Sequence, residues 1–145
     1  EPAAGSADAE PAAGSAYAVL DDLPATTWAA LGLPACPLAH AGAPRAPQLF
    51  VARGATTTQL HRDAFANVYV CLHGERTWTV AHPDHDLERA PGSVSGDLDE
   101  STATATVTLR AGDALVLPAR WWHRVAAADG AAGYSLAANW YFDDV

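Results

Sequence analysis

Three side chains of this 145-residue sequence have the types and the order needed to hold one metal ion: His61, Asp63 and His123. Residues two apart on an extended strand project from the same face, so His61 and Asp63 can contact an ion together. His123 follows a predicted strand and the corner at Pro118, and an antiparallel barrel brings such distant strands together. Two imidazoles and one carboxylate favour non-haem Fe(II), although a His-X-Asp pair alone is also common on protein surfaces.

A positive charge is predicted to face the same interior. Gly74-Glu75 lies between two predicted strands and has the length of a hairpin turn. That turn predicts three cross-strand pairs: His73 with Arg76, Cys71 with Trp78, and Tyr69 with Val80. If the strand ran unbroken from His61, the side chain of Arg76 would face the same interior as the metal ion. The distal carboxylate of 2-oxoglutarate would satisfy a buried guanidinium; the alternative is that Arg76 extends to the rim and stays solvated.

The elements that would position these groups are mostly short strands. Their predicted ranges are 47–52, 67–73, 76–81, 104–110, 114–117, 121–126 and 133–142. Many short strands with tight turns predict an all-β barrel or sandwich. Residues 17–38 predict one or two short helices that lean on the core, and residues 83–103 predict a polar loop.

Composition predicts one globular domain, residues 17–145, after a flexible low-complexity lead-in at residues 1–16. The formal net charge is −9 without a basic run, so nucleic acid is not an expected partner. No apolar run reaches the roughly 20 residues of a membrane span. Two cysteines without a framework spacing favour a reducing compartment, and we expect a cytoplasmic protein.

Longer stretches of the sequence resemble the Jumonji-C, or cupin-like, iron(II)- and 2-oxoglutarate-dependent hydroxylases. The matching stretches are 58–63, Asn67, 74–78, 109–113, 117–123 and 139–141. The similarity spans residues 47–142, and their combined spacing is more specific than any one motif. Within the family, the pattern is most similar to that of the small Jumonji-C lysyl hydroxylases.

The resemblance implies a double-stranded β-helix, the cupin or jelly-roll barrel. It implies Fe(II) as the cofactor and 2-oxoglutarate as the co-substrate. The implied iron ligands are His61, Asp63 and His123. The implied contacts of 2-oxoglutarate are Arg76, which stands where many members carry lysine, with Thr58, Asn67, Asn139 and Tyr17.

The implied reaction is hydroxylation of a C–H bond with decarboxylation of 2-oxoglutarate to succinate. Family analogy favours a protein or peptide substrate, with lysine as one candidate residue, while a small molecule or modified RNA stays open. The sequence gives no support for a homodimer. Two other classes also stay open: a non-catalytic metal-binding cupin module, and a cupin isomerase or hydrolase that works without oxygen. Neither requires Arg76 beside the three metal ligands.

Other reactive side chains are expected to be structural or peripheral. Cys71 is predicted to be a small buried filler, because no general base is identifiable beside it. His82 and His85 are predicted to lie in a solvated loop rather than in a second metal site. His73 is a candidate for a supporting contact near the metal.

Overall fold

A computed structural model describes residues 10–11, 14–85, 87 and 102–143. The described residues form strands joined by short loops, with one α-helix, α1 (Ala25–Ala30), and one 3-10 helix (Ala39–Ala41). The strands are β1 (Glu10–Pro11), β2 (Ala16–Leu20), β3 (Gln48–Arg53), β4 (Thr56–Thr57), β5 (His61–Arg62), β6 (Ala66–His73), β7 (Glu75–Ala81), β8 (Ala105–Arg110), β9 (Ala114–Leu117), β10 (Trp122–Ala128) and β11 (Ser135–Phe142). Neither helix has the length and apolar character that a transmembrane segment needs.

The strands form two antiparallel sheets. In sheet 1 the order is β1-β4-β10-β7-β8, and β5 also pairs with β10. In sheet 2 the order is β2-β3-β11-β6-β9. Strands that are neighbours in sequence therefore alternate between sheets at several points, which is how the chain closes two layers around one interior. The predicted all-β class is confirmed.

The central strands of sheet 2 are buried on both faces. On β6, Val68 and Val70 belong to an apolar cluster with Trp28 of α1, while Tyr69 and Cys71 point to the other side. That other side forms a second cluster with Trp78 of sheet 1. Because successive side chains of a strand point to opposite faces, the odd- and the even-numbered residues of β6 must both be compatible with burial. This explains its nearly unbroken apolar sequence.

The predicted strands match the observed ones closely, but the N-terminal region differs. Strand β9 begins and ends where predicted, and the other predicted strands shift by one or two residues at an end. Tyr17 lies on β2, so its assignment to a helical segment was wrong, whereas α1 confirms a short helix before the barrel. Strand β2 pairs with β3 along its whole length, and this pairing overrides a weak local preference for helix.

Two predicted segments lie largely outside the described residues. Within the predicted lead-in, Glu10–Pro11 pairs with β4 and Ala16 begins β2, while residues 1–9 and 12–13 are outside. Of the predicted polar loop, residues 86 and 88–101 are outside. The domain boundaries stay a prediction.

The hairpin predicted at Gly74-Glu75 was wrong. Strand β6 belongs to sheet 2 and β7 to sheet 1, so the chain passes from one sheet to the other at Gly74 instead of folding back on itself. Gly74 has a φ of +75°, in the left-handed region that glycine tolerates. The three predicted cross-strand pairs do not form, since β6 pairs with β11 and β9, and β7 with β10 and β8.

The condition that one strand runs unbroken from His61 is not met either. Strand β5 is two residues long and pairs with β10 in sheet 1, whereas β6 starts at Ala66 in sheet 2. Arg76 faces the interior nonetheless, because β7 lies opposite β6 across that interior. Arg76 therefore faces the interior, as predicted. The reason is that the two sheets face each other, and not that β6 and β7 pair as a hairpin.

We expect Gly74→Ala to destabilise the domain much more than Gly133→Ala. Both glycines have nearly the same φ, +75° and +76°, so the left-handed backbone costs each alanine about 1–2 kcal/mol. A Cβ at Gly74 would also lie 2.6 Å from the Ala128 carbonyl oxygen and 2.7 Å from the Ser135 Cβ, whereas one at Gly133 meets nothing within 4 Å. Overpacking adds about 1–3 kcal/mol. Urea unfolding of both variants measures the difference, and equal losses would contradict the corner packing.

Candidate metal centre

The pairing of β5 with β10 places two histidines directly opposite each other. His61 and His123 are partners in the antiparallel register, and their ring centroids are 4.2 Å apart. Asp63 joins them, with its Oδ2 3.6 Å from Nε2 of His123. One ligand atom from each of the three residues lies within 4.8 Å of the other two. The structure thus brings together the three residues that the sequence predicted as metal ligands.

Both imidazoles are oriented by the backbone. Nδ1 of His61 lies 2.7 Å from the carbonyl oxygen of Gln59, and Nδ1 of His123 lies 3.0 Å from that of Trp121. A carbonyl oxygen only accepts, so each Nδ1 must carry a proton, and in the neutral form of such a ring the lone pair is on Nε2. This arrangement is typical of histidines that bind a metal through Nε2. Trp78 stacks on His123 with ring centroids 5.2 Å apart.

Asp63 lies beyond the end of β5 and is held by two contacts from other elements. Its carbonyl oxygen accepts the backbone N–H of Arg120 at 2.8 Å, and its Oδ2 accepts the hydroxyl of Tyr141 at 3.2 Å. Arg120 adopts a φ of +68°, which is costly for a residue with a side chain and is common near functional sites. Burial, and then the negative charge of Asp63, raise the pKa of Tyr141, so its hydroxyl keeps its proton and can donate.

A cavity of about 660 Å³, counting its open mouth, extends from this triad into the space between the sheets. Its walls include all the residues predicted to contact metal or co-substrate: Tyr17, Thr58, His61, Asp63, Asn67, Arg76, His123 and Asn139. They come from β2, β5, β6, β7, β10 and β11 and from the segments between β4 and β5 and between β5 and β6. Their individual roles stay predictions, but their placement around one cavity is an observation.

Arg76 is buried, with 1% of its surface exposed, so the alternative in which it reaches the solvated rim was wrong. One Nη of its guanidinium donates to the Phe50 carbonyl oxygen at 3.3 Å, and its Nε has no partner among the described residues. The same holds for Oδ1 of Asn67 and for both polar side-chain atoms of Asn139. Buried polar groups are normally hydrogen-bonded, so this cluster suits a polar, negatively charged ligand.

Two tyrosines accompany the arginine. Burial raises the pKa of Tyr17 to about 12, while the nearby charge of Arg76 acts in the opposite direction. Burial likewise raises the pKa of Tyr69, again opposed by Arg76. Both phenols are therefore neutral hydroxyl groups beside a fixed cation, and they can donate to an anion that the cation attracts.

Sequence reasoning missed several residues of the cavity wall. They are Gln48, Phe50, Thr56, Val125, Ala127 and Tyr141, whereas Tyr69 was expected on the metal-facing side of its strand and Trp78 was expected to pack in the core or at the rim. Tyr141 could have been found, because it is two residues after Asn139 on one strand and therefore shares its face. The residues of β3 and β4 carried no signal, since nothing in their sequence shows which sheet they join.

The reactive side chains that were expected to be structural or peripheral do not line the cavity. His73 does not line it; its ring is 4.7 Å from that of Tyr134. Cys71 is fully buried in the interior apolar cluster, as expected of a filler. His82 is within 3.3 Å of Asp84 through Nδ1, and the described residues contain no second group of three metal-binding side chains.

We expect the metal-free protein to lose stability as the pH falls from about 6.5 towards 4. Burial, and then the charge of His61, lower the pKa of His123 to about 4, from an ordinary value of 6.5. In that interval the unfolded chain binds a proton that the folded chain excludes, so acid favours unfolding. This difference amounts to about 2 kcal/mol between pH 7 and pH 5.

Urea unfolding of the metal-free protein at the two pH values measures this loss. His123→Gln should reduce the loss, whereas His40→Gln, at an exposed histidine of the 3-10 helix, should leave it unchanged. An equal pH dependence in the wild type and in His123→Gln would show that His123 is not the group responsible.

The architecture is similar to that of solved cupin structures. A cupin superfamily protein from Desulfitobacterium hafniense aligns with a TM-score of 0.51 and 13% identity, over 89% of this chain and 79% of that one. YcfD from E. coli aligns with a TM-score of 0.50 and 18% identity, over 68% of this chain and 25% of that one. At these identities the likeness shows the fold alone, and it confirms the predicted jelly-roll barrel.

Sequence comparison adds a family. The tRNA wybutosine-synthesizing protein 4 of Gibberella zeae is 32% identical over an alignment of 104 residues, and the match covers 63% of this chain. The matched part is only 10% of that relative's length, so the chain corresponds to a small part of it. The family model of the JmjC domain matches residues 40–141, which include strands β3 to β10, β11 up to Tyr141 and all three residues of the triad. The chain therefore belongs to the JmjC domain family.

Proposed function

We propose that this JmjC domain is an Fe(II)- and 2-oxoglutarate-dependent oxygenase that hydroxylates a C–H bond and releases succinate. One observation carries the proposal: His61, Asp63 and His123 converge at a cavity that also contains the buried guanidinium of Arg76. A metal-binding module needs only the triad, and a cupin isomerase or hydrolase does not need a buried cation beside it. Membership of the JmjC family supports the same assignment.

The donor set fits iron. Two imidazoles whose Nδ1 atoms contact backbone carbonyl oxygens, which leaves Nε2 for a metal, together with one carboxylate, form the ligand set typical of non-haem Fe(II), and they leave coordination positions open. Iron bound there would supply the activation of dioxygen, which protein side chains cannot perform. The part of the chain in this chemistry is to orient both imidazoles and to hold Asp63 in place.

The other polar groups of the cavity fit 2-oxoglutarate. A dicarboxylate that chelates the metal through its oxo-acid end carries a second carboxylate, which suits Arg76 and the phenols of Tyr17 and Tyr69. Thr58 is fixed on the cavity wall, since its backbone N–H donates to the Val125 carbonyl oxygen and its Oγ1 accepts the Val125 N–H, both at 2.9 Å. Its hydroxyl proton remains available to a ligand.

Apolar side chains complete the cavity and limit its contact with water. Phe50, Trp78, Val125 and Ala127 lie between the polar groups on the wall. A water-poor site strengthens the attraction between Arg76 and a carboxylate and protects reactive species from side reactions. The same apolar wall allows His123 to stay unprotonated at neutral pH.

For the substrate we propose a protein side chain, with lysine as one candidate. The formal net charge of −9 would attract a basic protein or peptide over long range and would repel polyanions. A nucleoside in tRNA is the second candidate, because the relative from Gibberella zeae is named as a tRNA wybutosine-synthesizing protein. Mass spectrometry of basic peptides and of tRNA digests after turnover, with a gain of one oxygen atom as the signal, separates the two.

We expect His61→Ala and Asp63→Ala each to lower succinate formation by more than about 100-fold. Residues that only orient metal ligands are typically worth 10- to 100-fold, so loss of a ligand should exceed that range. Succinate is measured with ferrous iron, 2-oxoglutarate and oxygen present. His40→Ala serves as the matched control. Wild-type turnover in either ligand variant, or undiminished activity without oxygen, would contradict the proposed chemistry.

Arg76→Gln should weaken binding of 2-oxoglutarate by about 100-fold while sparing the fold. Truncating one partner of a buried charge pair costs about 2–5 kcal/mol of binding energy. In the ligand-free protein, removing an uncompensated buried cation should not lower stability. The visible band that Fe(II) and 2-oxoglutarate form together without oxygen reports binding. Arg53→Gln, at an exposed arginine outside the cavity, is the control, and equal affinities in both variants would remove Arg76 from the co-substrate site.

A further inference from the structure

The three residues of the triad are supported unequally. His61 and His123 lie on strands that pair with each other, and the carbonyl oxygen two residues earlier fixes each ring. Asp63 lies one residue beyond the end of β5. The Arg120 N–H holds its backbone carbonyl, but that contact leaves the carboxylate free to rotate. Rotation of an aspartate carboxylate about χ2 is broad, so its orientation must come from another contact.

That contact comes from the opposite sheet. The hydroxyl of Tyr141 on β11 donates to Oδ2 of Asp63 at 3.2 Å. The same oxygen is the one that lies 3.6 Å from Nε2 of His123, so Tyr141 contacts the carboxylate oxygen that faces the other ligand atoms.

Tyr141 is itself held firmly. It lies on β11, a central strand of sheet 2 that pairs with β6 on one side and β3 on the other, and it is the register partner of Asn67. Its carbonyl oxygen accepts the backbone N–H of Arg45 at 2.8 Å, and its ring lies 6.0 Å from that of Phe65. A hydroxyl fixed in this way can impose an orientation on a side chain that emerges from a loop.

We propose that Tyr141 is a positioning residue, whose hydroxyl turns one oxygen of Asp63 towards His61 and His123 and so completes the metal-binding geometry from the opposite sheet. The inference rests on the proposed function, in that these three residues hold the metal. It adds a dependence of metal affinity on a residue that is not a ligand. Sheet 1 supplies the histidines, and sheet 2 supplies the restraint on the carboxylate.

The test is the affinity for Mn(II) alone, which binds the same kind of oxygen and nitrogen ligands, does not oxidise readily and is followed by electron paramagnetic resonance. Tyr141→Phe removes one oxygen atom and keeps the ring, and we expect it to raise the Kd for Mn(II) about 10-fold. Tyr134→Phe, at a tyrosine 40% exposed and outside the cavity, should bind as the wild type does. An unchanged Kd in Tyr141→Phe would overturn the proposal.

A second comparison separates positioning from a general structural role. If Tyr141 acts through Asp63, then Tyr141→Phe should not change the residual Mn(II) affinity in an Asp63→Ala background. An equal loss in both backgrounds would mean that the hydroxyl acts elsewhere and would overturn the inference. If Tyr141→Phe does not fold, Tyr141→Trp is tested instead, because the tryptophan ring keeps an N–H donor. A Kd for Mn(II) within about threefold of the wild-type value supports hydrogen-bond donation to Asp63, and an increase of about 10-fold or more opposes it.

Failure of the inference can be told from failure of the proposed function. If the wild type binds Mn(II) and produces succinate while Tyr141→Phe binds equally well, only the positioning role is lost. If the wild type binds no Mn(II), the metal centre itself is wrong and the role of Tyr141 falls with it. Metal-free melting curves of all variants show whether each is folded before its affinity is compared.

Discussion

The short pairing between β5 and β10 is the constraint on which the candidate site depends. It sets His61 opposite His123 and leaves Asp63 to emerge from the strand end at the same place. Everything else completes this pair of histidines: the carbonyl groups that fix their tautomers, Trp78 that stacks on one ring, and Tyr141 that reaches the carboxylate. A two-residue strand is a weak element by itself, so its position must be enforced by β10, which is anchored along its length by β7.

The second requirement is that the two sheets face each other at a fixed distance. Arg76 is on sheet 1, while Asn67 and Asn139 are on sheet 2, and they line the same cavity. The alternation of side chains along β6 and β11 allows one face to hold the apolar core under α1 and the other to hold polar groups. The face that lines the cavity therefore serves ligand binding and also contributes Tyr69, Cys71 and Ala137 to the second apolar cluster.

The sequence was informative about residue types and poor at connectivity. Periodicity and turn residues located most strands to within two residues, and His61, Asp63, His123 and Arg76 were identified from their chemistry and from a family resemblance. The route by which Arg76 was placed was wrong, because a two-residue connection between strands looks the same whether it closes a hairpin or turns a corner between sheets. The contact of Tyr141 with Asp63 could not be predicted, because the two residues are 78 positions apart and only the packed sheets bring them together.

The position of Tyr17 has a consequence for how this cavity could change shape. Sheet 2 begins with β2, which among the described strands pairs with β3 alone, so one wall of the cavity is built on a margin of the sheet rather than on its interior. A marginal strand can shift or be remodelled without unpairing the strands that carry the histidines and the arginine. Adaptation to bulkier molecules, by evolution or by protein engineering, would find its least disruptive route on that side of the barrel.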